Sequence, residues 1–252
     1  MPFNATDWHQ RFTQQARWTR ELRQHLFNRL QIDRGSRILE VGCGTGAVLL
    51  ELDLESGSGS QVFGLDLKEE YLQLARNHLP HAHLVAGDGF DLPFPARVFD
   101  LVFCHFLLLW VRDPIEIISE MRRVTRTGSW VLAFAEPDYG GRIDYPGELG
   151  EIGRLQVNAL SEQGADPQVG RKLKAILREA GIQEVEAGIL GGQWKEPPAP
   201  ADIDMEWKVL REDLGNQVSQ REMDRYERID REAWQAGTRL LFVPTFYAWG
   251  RV

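Results

Sequence analysis

The sequence is short of several features, and each shortage excludes a class of protein. Its 252 residues include two cysteines, too few for a disulfide framework, so we expect a reducing compartment, the cytoplasm. The longest apolar run, Leu101 to Val111, contains His105 and is too short to span a bilayer. The first ten residues are polar and have no signal-peptide core. A membrane or disulfide-rich secreted protein is therefore not expected.

Long blocks of lysine and arginine are also missing. The 29 basic residues are outnumbered by 37 acidic ones, which gives a formal net charge of −8. Sequence-independent nucleic-acid binding needs a basic track, so this partner is not expected, although a nucleic acid held in a local pocket is not excluded. Hydrophobic residues make up 43% of the chain, enough for a packed core. We expect one domain over residues 1–252, of undetermined oligomeric state.

The most informative stretch runs from residue 38 to residue 50. Apolar residues lead into three glycines at alternate positions, Gly42, Gly44 and Gly46, and a second apolar run follows. This pattern predicts a buried strand, a tight turn and the start of a helix. The glycines allow positive φ and let a ligand lie against the backbone. The free N–H groups of the helix can bind an anionic or oxygen-rich ligand.

Two classes of cofactor use such a turn, and Glu40 distinguishes them. Gly42, Gly44 and Ala47 satisfy the loose dinucleotide pattern G-x-G-x-x-G/A. A carboxylate two residues before the first glycine would lie close to a pyrophosphate and repel it. The same letters resemble the first motif of class I S-adenosylmethionine (SAM)-dependent methyltransferases, in which an acidic residue there faces the methionine end of the cofactor. Glu40 therefore favours SAM over NAD(P).

Acidic residues follow the next two predicted strands. Asp66 lies 20 residues after Gly46, where a βαβ unit places a carboxylate for the ribose hydroxyls; capping the following helix is the alternative. Asp88, between Gly87 and Gly89, resembles the family residue that accepts a hydrogen bond from the adenine amino group, with Phe90 at the ring edge. A plain glycine–aspartate turn is the alternative.

The predicted fourth strand, Phe99–His105, resembles the family segment F-D-x-V-x-(C/S). Trp110 stands where many members of the family have a histidine, and indole cannot accept a proton at neutral pH. His105 could act as the general base instead, or it could line the methionine end of the site. His78, His81 and His83 are close in sequence, but they span a helix end and a strand start, so no metal site is expected.

Four motifs in order resemble class I SAM-dependent methyltransferases, with similarity to the ubiquinone and menaquinone C-methyltransferases. The resemblance implies a Rossmann-like α/β fold: a seven-stranded, mostly parallel sheet with an antiparallel last strand and helices on both faces. It implies methyl transfer from SAM to a small-molecule acceptor. The alternatives are an NAD(P)-dependent oxidoreductase and a catalytically silent SAM-binding partner protein. The implied cofactor contacts are Glu40, Gly42, Cys43, Gly44, Gly46, Asp66, Leu67, Asp88, Gly89, Phe90, Cys104 and His105.

Two further segments are expected near the acceptor. The predicted helix over 7–30 and an insertion over 191–240, which contains two charged helical stretches, would form a lid over the pocket. Packing of the helix against the domain, and a solvated face or dimer contact for the insertion, are the alternatives. The candidate substrate contacts lie in the first helix, after the fourth strand and at the end of the fifth: Trp18, Trp110, Glu136, Asp138 and Tyr139.

Overall fold

A computed structural model describes residues 3–32, 35–56, 60–191, 197–215 and 217–252. The glycine–serine stretch over 56–60 predicts a turn, and the stretch around Trp194 with its nearby prolines predicts a loop; residues 57–59 and 192–196 of these segments lie outside the described residues. The strands are β1 (Arg37–Val41), β2 (Gln61–Asp66), β3 (His83–Ala86), β4 (Phe99–Cys104), β5 (Thr125–Pro137), β6 (Ile143–Tyr145), β7 (Gln183–Leu190), β8 (Leu240–Phe242) and β9 (Thr245–Arg251). The helices are α1 (Ala5–Trp18), α2 (Arg20–Leu30), α3 (Ala47–Ser56), α4 (Glu69–Arg76), α5 (Pro114–Val124), α6 (Leu149–Glu162), α7 (Leu173–Glu179), α8 (Pro200–Leu214) and α9 (Gln220–Gln235).

The main sheet has seven strands in the order β3-β2-β1-β4-β5-β9-β7. Strands β1 to β5 pair in parallel, and β9 runs antiparallel to both β5 and β7. The predicted fold is therefore confirmed. The strand order reverses beside β1, and ligands of open α/β sheets bind at the carboxyl ends of the strands on either side of such a reversal.

The core lies on both faces of the sheet because β1 and β4 are buried on both sides. Leu39 and Val41 pack with Ile117 of α5 on one face. Ile38 packs with Leu49 of α3 on the other face. Parallel strands covered by helices on both faces read as continuous apolar runs, which is why the sequence indicates these two strands so clearly.

The segment predicted as one helix over 7–30 forms two helices that meet at Thr19. Asn4 starts α1 with a capping box, accepting hydrogen bonds from the backbone N–H groups of Thr6 and Asp7. The Thr19 hydroxyl donates to the carbonyl of Ala16, 3.2 Å away, a local bond that competes with regular helix hydrogen bonding. The apolar spacing predicts the helical segment, but it does not indicate this break.

Strand β6, helix α6 and the small sheet in which β6 pairs with β8 are not predicted from the sequence. A third hydrophobic core joins α6, α8 and α9, with Trp207, Leu210 and Tyr226 among its members. The mainly apolar run over 241–250 predicts one closing strand, but it divides at Pro244, because β8 joins the small sheet and β9 joins the main one. Among the described helices, none is long and apolar enough to cross a membrane.

Gly170 provides a test of the packing between the main sheet and the segment before α7. A Cβ atom at Gly170 would lie 2.5 Å from the carbonyl oxygen of Glu136 and 3.0 Å from that of Pro137. Backbone of a central strand cannot yield easily, so we expect Gly170→Ala to lower the free energy of unfolding by ~1–3 kcal/mol in urea denaturation. At Gly147 no described atom lies within 4 Å of such a Cβ, so Gly147→Ala is the control. Equal stability of the two variants would contradict this packing.

Candidate active site

One cavity of about 850 Å³ lies at the carboxyl ends of β1, β2 and β4. Its volume is typical of sites for small molecules. The glycine turn and the strand ends form one side of the cavity, and residues of α1, α6 and α8 form the other. The cavity therefore lies at the reversal of strand order, between the sheet and the helices α1, α6 and α8, which we call the added helices.

The glycine turn after β1 has the backbone conformation that its sequence predicts. Gly42, Gly44 and Gly46 have φ values of +74°, +53° and +75°, a region that disfavours residues with a Cβ atom. Space is limited as well. A Cβ at Gly42 would lie 2.8 Å from Leu107 Cδ1, and one at Gly44 would lie 2.8 Å from the Phe12 ring. Residues of two other elements thus pack directly against the turn.

Asp66 connects the end of β2 to the glycine turn. One carboxylate oxygen accepts a hydrogen bond from the backbone N–H of Gly44 at 2.7 Å, and the other accepts from the N–H of Lys68 at 2.9 Å. The N-cap of α4 is Lys68, so Asp66 does not cap this helix. Asp66 lines the cavity while it holds the turn.

Glu40 is a buried carboxylate at the cavity wall. It is 2% exposed, and among the described residues no hydrogen-bond donor reaches its Oε2. Burial raises the pKa of Glu40 well above its usual value; the nearby Arg23 guanidinium opposes this shift, and Asp66 adds to it. An unsatisfied buried oxygen costs free energy unless a ligand supplies the donor. The cavity thus offers a cationic or hydrogen-bond-donating group a partner at this point.

Asp88, Gly89 and Phe90 form the cavity wall after β3. Asp88 Oδ1 accepts a hydrogen bond from the Phe90 N–H at 3.0 Å, which closes a short turn. The Arg112 guanidinium lies over the Phe90 ring, 4.9 Å from its centroid. Asp88 therefore closes a short turn and also lines the cavity.

Glu136 supports part of the cavity wall through hydrogen bonds to the backbone. Its carboxylate accepts hydrogen bonds from the N–H groups of Leu107 and Leu108, each at 2.9 Å, and of Leu109 at 3.2 Å. Burial raises the pKa of Glu136 to about 7, although these three hydrogen bonds oppose the shift. Leu107 and Leu109 line the cavity, so Glu136 holds part of the wall in place.

The structure brings most of the predicted site residues to the cavity. Those that line it are Glu40, Gly42, Cys43, Gly44, Asp66, Leu67, Asp88, Gly89, Phe90, His105, Trp110 and Tyr139. Of the described positions that line it, none is among the other five predicted residues, Gly46, Cys104, Trp18, Glu136 and Asp138.

Besides Glu136, described above, each of the other four residues has a different environment. A Cβ at Gly46 would lie 2.5 Å from Leu79 Cδ1, and Cys104 lies in the hydrophobic core on the central strand β4. Trp18 is half exposed, with the Arg11 guanidinium over its ring. Asp138 pairs with Arg171.

Two of the three histidines that are close in sequence, His78 and His83, contact different residues. His78 Nε2 is 2.9 Å from the carbonyl oxygen of Thr45, whereas the His83 ring stacks on Phe63. Over the parts of the chain that the structure describes, no group of His, Cys, Asp or Glu side chains has an arrangement that could hold a metal ion.

The cavity residues contributed by the three added helices, α1, α6 and α8, are not predicted from the sequence. They include Arg11 and Phe12 of α1, Leu160 of α6, and Val209 and Asp213 of α8, with Gln163 just beyond α6. These positions belong to separate helices with no shared motif, so no spacing in the sequence indicates that they meet.

Comparison with known proteins agrees with the fold and the turn. The family described as "Methyltransferase domain" matches residues 39–133. The demethylmenaquinone methyltransferase of Staphylococcus epidermidis is 35% identical over 113 residues, which cover 44% of this chain and 47% of that protein. The enzyme of the same name from Geobacillus kaustophilus is 28% identical over 200 residues, covering 69% and 81% of the two chains. The chain thus spans about half the length of the first relative.

A solved structure extends the likeness over most of the chain. Haemonchus contortus phosphoethanolamine N-methyltransferase 2, in complex with phosphomonomethylethanolamine and S-adenosylhomocysteine, superposes with a TM-score of 0.56 at 18% identity. The match covers 87% of this chain and 49% of that one, and at this identity it concerns the fold alone. The matched domain includes the glycine turn, Asp66 and Asp88, so over residues 39–133 the chain is similar to a methyltransferase domain.

Proposed function

We propose that the protein transfers the methyl group of SAM to a small-molecule acceptor bound in the same cavity. The observation that carries this proposal is the unsatisfied Oε2 of the buried Glu40, at the wall of a cavity that Asp66 and Asp88 also line. Glu40 lies in β1, Asp66 ends β2 and Asp88 follows β3, and these three strands are neighbours in the sheet.

The cavity residues fit SAM at three points. Glu40 would pair with the methionine ammonium, Asp66 would accept from the ribose hydroxyls, and Asp88 would accept from the adenine amino group. These are donor groups, and each carboxylate is an acceptor. A dinucleotide would place a pyrophosphate at this turn, where Glu40 repels it, so the oxidoreductase alternative is not favoured. When bound, SAM supplies a methyl group on a positively charged sulfur.

The protein's own part in the reaction is alignment and exclusion of water. Methyl transfer is an in-line displacement, and holding two reactants in the productive geometry can contribute about 7–11 kcal/mol to lowering the barrier. Phe12 covers the glycine turn at Gly44, and the Glu136-bound segment with Leu107 and Leu109 forms another part of the cavity wall. The acceptor would enter beside α1 and α8.

The two segments expected to form a lid contact each other through charged pairs. Arg11 of α1 pairs with Glu206 of α8, Arg17 pairs with Asp202 at 2.7 Å, and Lys208 pairs with Asp7. We propose that α1 and α8 move apart from each other to admit the acceptor. Pairs exposed to solvent contribute only about 0–1 kcal/mol each, so the two outer ones oppose opening weakly.

His105 has the environment of a lining residue and not that of a base. Its Nε2 lies 2.9 Å from the Thr19 hydroxyl, at the junction of α1 and α2. Burial, together with the positive charge of Arg23, lowers the pKa of His105 to about 3. A ring that binds a proton this weakly cannot remove one from an acceptor at neutral pH. We propose that His105 anchors the junction of the first two helices, and that the predicted cytoplasmic enzyme works without a histidine base.

Methyl transfer itself is tested with labelled SAM and a small-molecule extract of the source cells. Label in a low-molecular-weight product is expected. Protein that binds SAM but labels no compound or partner protein would favour the silent-partner alternative. Tighter binding of NADH than of S-adenosylhomocysteine would contradict the proposal outright.

Calorimetric titration with S-adenosylhomocysteine tests the site residues. Glu40→Gln keeps the shape of the side chain and removes its charge, and Asp88→Ala removes the adenine acceptor. Each is expected to weaken binding by about tenfold or more, since a lost hydrogen bond to a charged group costs ~1.5–3 kcal/mol. Asp91→Ala is the control, because Asp91 is exposed and is not among the residues that line the cavity. Unchanged affinity in both test variants would refute the assignments.

The pH dependence of stability tests the state of His105. Its pKa is lower in the folded protein than in the unfolded chain, so unfolding takes up a proton and stability falls as the pH falls below about 6.5. Between pH 6.5 and 5, wild type should lose roughly 1.5 kcal/mol more than His105→Gln in urea denaturation. Parallel pH profiles for the two proteins would mean that His105 is not held neutral.

A further inference from the structure

The part of the cavity formed by the added helices contains a carboxylate that differs from the three near the sheet. Asp213 of α8 lines the cavity together with Arg11 and Tyr139. Among the described side chains, Gln156 alone hydrogen-bonds to the Asp213 carboxylate, donating from Nε2 to Oδ2 at 2.8 Å. Its other oxygen, Oδ1, has no such partner in the described part of the chain and can bind a ligand.

A buried polar network fixes the direction of the Gln156 amide. Gln156 is 4% exposed, and its Oε1 accepts a hydrogen bond from Arg142 at 3.0 Å. That bond determines which end of the amide faces Asp213, because an oxygen cannot donate. Arg142 is held in turn by Asp144 at 2.6 Å. Asp213 is thus oriented by residues of β6 and α6 and not left to rotate in solvent.

The positive charges near Asp213 are already paired with other carboxylates. The Arg11 guanidinium donates to Gln14 and Glu206, so its charge is matched across α1 and α8. In the network behind Gln156, Arg142 and Arg239 are balanced by Asp144 and Asp230. Among the described residues, the negative charge of Asp213 is therefore not balanced by an ion pair at this end of the cavity. The exposed Glu212 adds a second negative charge.

Burial raises the pKa of Asp213, while its bond to Gln156 and the charge of Arg11 oppose the shift. A partly desolvated carboxylate is costly unless it is paired. Tyr139 lies near enough for its hydroxyl to respond to Arg11 and Asp213, and burial raises the pKa of Tyr139 to about 12, so it stays neutral. An aromatic ring and a carboxylate side by side are a favourable environment for an organic cation.

From this geometry we infer that the methyl acceptor carries a positively charged nitrogen, which pairs with Asp213 beside the Tyr139 ring. The inference rests on the proposed function and adds the chemical class of the acceptor. An uncharged acceptor would leave Asp213 without a cationic partner in the cavity. Asp213 is thus a specificity-determining residue, and Gln156 is the positioning residue that orients it.

The test compares charged and uncharged compounds of the same shape on protein saturated with S-adenosylhomocysteine. The pairs are choline with its uncharged carbon isostere, dimethylbutanol, and benzylamine with benzyl alcohol. By calorimetry, at least one ammonium compound is expected to bind wild type about tenfold more tightly than its uncharged partner, a difference of ~1.4 kcal/mol. In Asp213→Asn this preference should fall below about threefold, with S-adenosylhomocysteine affinity unchanged.

Asp204→Asn is the matched control, because Asp204 lies on the same helix, pairs with Arg231 and is not among the residues that line the cavity. This variant should keep the preference of wild type. Equal binding of charged and uncharged partners, no binding of any ammonium compound, or a preference that survives in Asp213→Asn would each overturn the inference. Failure of wild type to bind S-adenosylhomocysteine would instead refute the proposed function, so the two failures are distinguishable.

Discussion

The arrangement of this protein depends on one buried carboxylate that the described protein groups do not satisfy. Glu40 lies one residue before the end of β1, beside the reversal of strand order; it lines the cavity, and no donor among the described residues reaches its buried Oε2. Arg23 lies near enough to favour its charge, but burial dominates. Such a group costs free energy in the empty protein, and a ligand that supplies a cation or a hydrogen-bond donor removes this cost. The affinity for that ligand is therefore increased.

The remaining elements of the site follow from this position. The glycine turn and Asp66 hold each other through the bond from the Gly44 N–H, and Glu136 holds the segment from Leu107 to Leu109 through three backbone N–H groups. Both devices use a carboxylate to fix backbone next to the cavity. The helices α1, α6 and α8 form the other side of the cavity and contribute residues such as Arg11, Leu160 and Asp213.

The sequence predicts the sheet side well and the helical side poorly, for physical reasons. Glycines at alternate positions and acids after strands are local signals, because a tight turn and a strand end constrain consecutive residues. Asp213 and Gln156 meet through packing of α6 against α8, 57 residues apart in the chain, which no local pattern encodes. Glu136 and Asp138 were predicted to face the acceptor because they end β5, yet Glu136 turns to backbone N–H groups and Asp138 turns to Arg171.

A crystal structure of the protein with S-adenosylhomocysteine tests the central claim most directly. The account predicts the ligand's ammonium within hydrogen-bonding distance of Glu40 Oε2, its ribose at Asp66 and its adenine at Asp88. It further predicts that the glycine turn keeps its positive φ values, since the site is already formed. A ligand bound away from Glu40, or a carboxylate that stays unpaired beside a bound ligand, would contradict it.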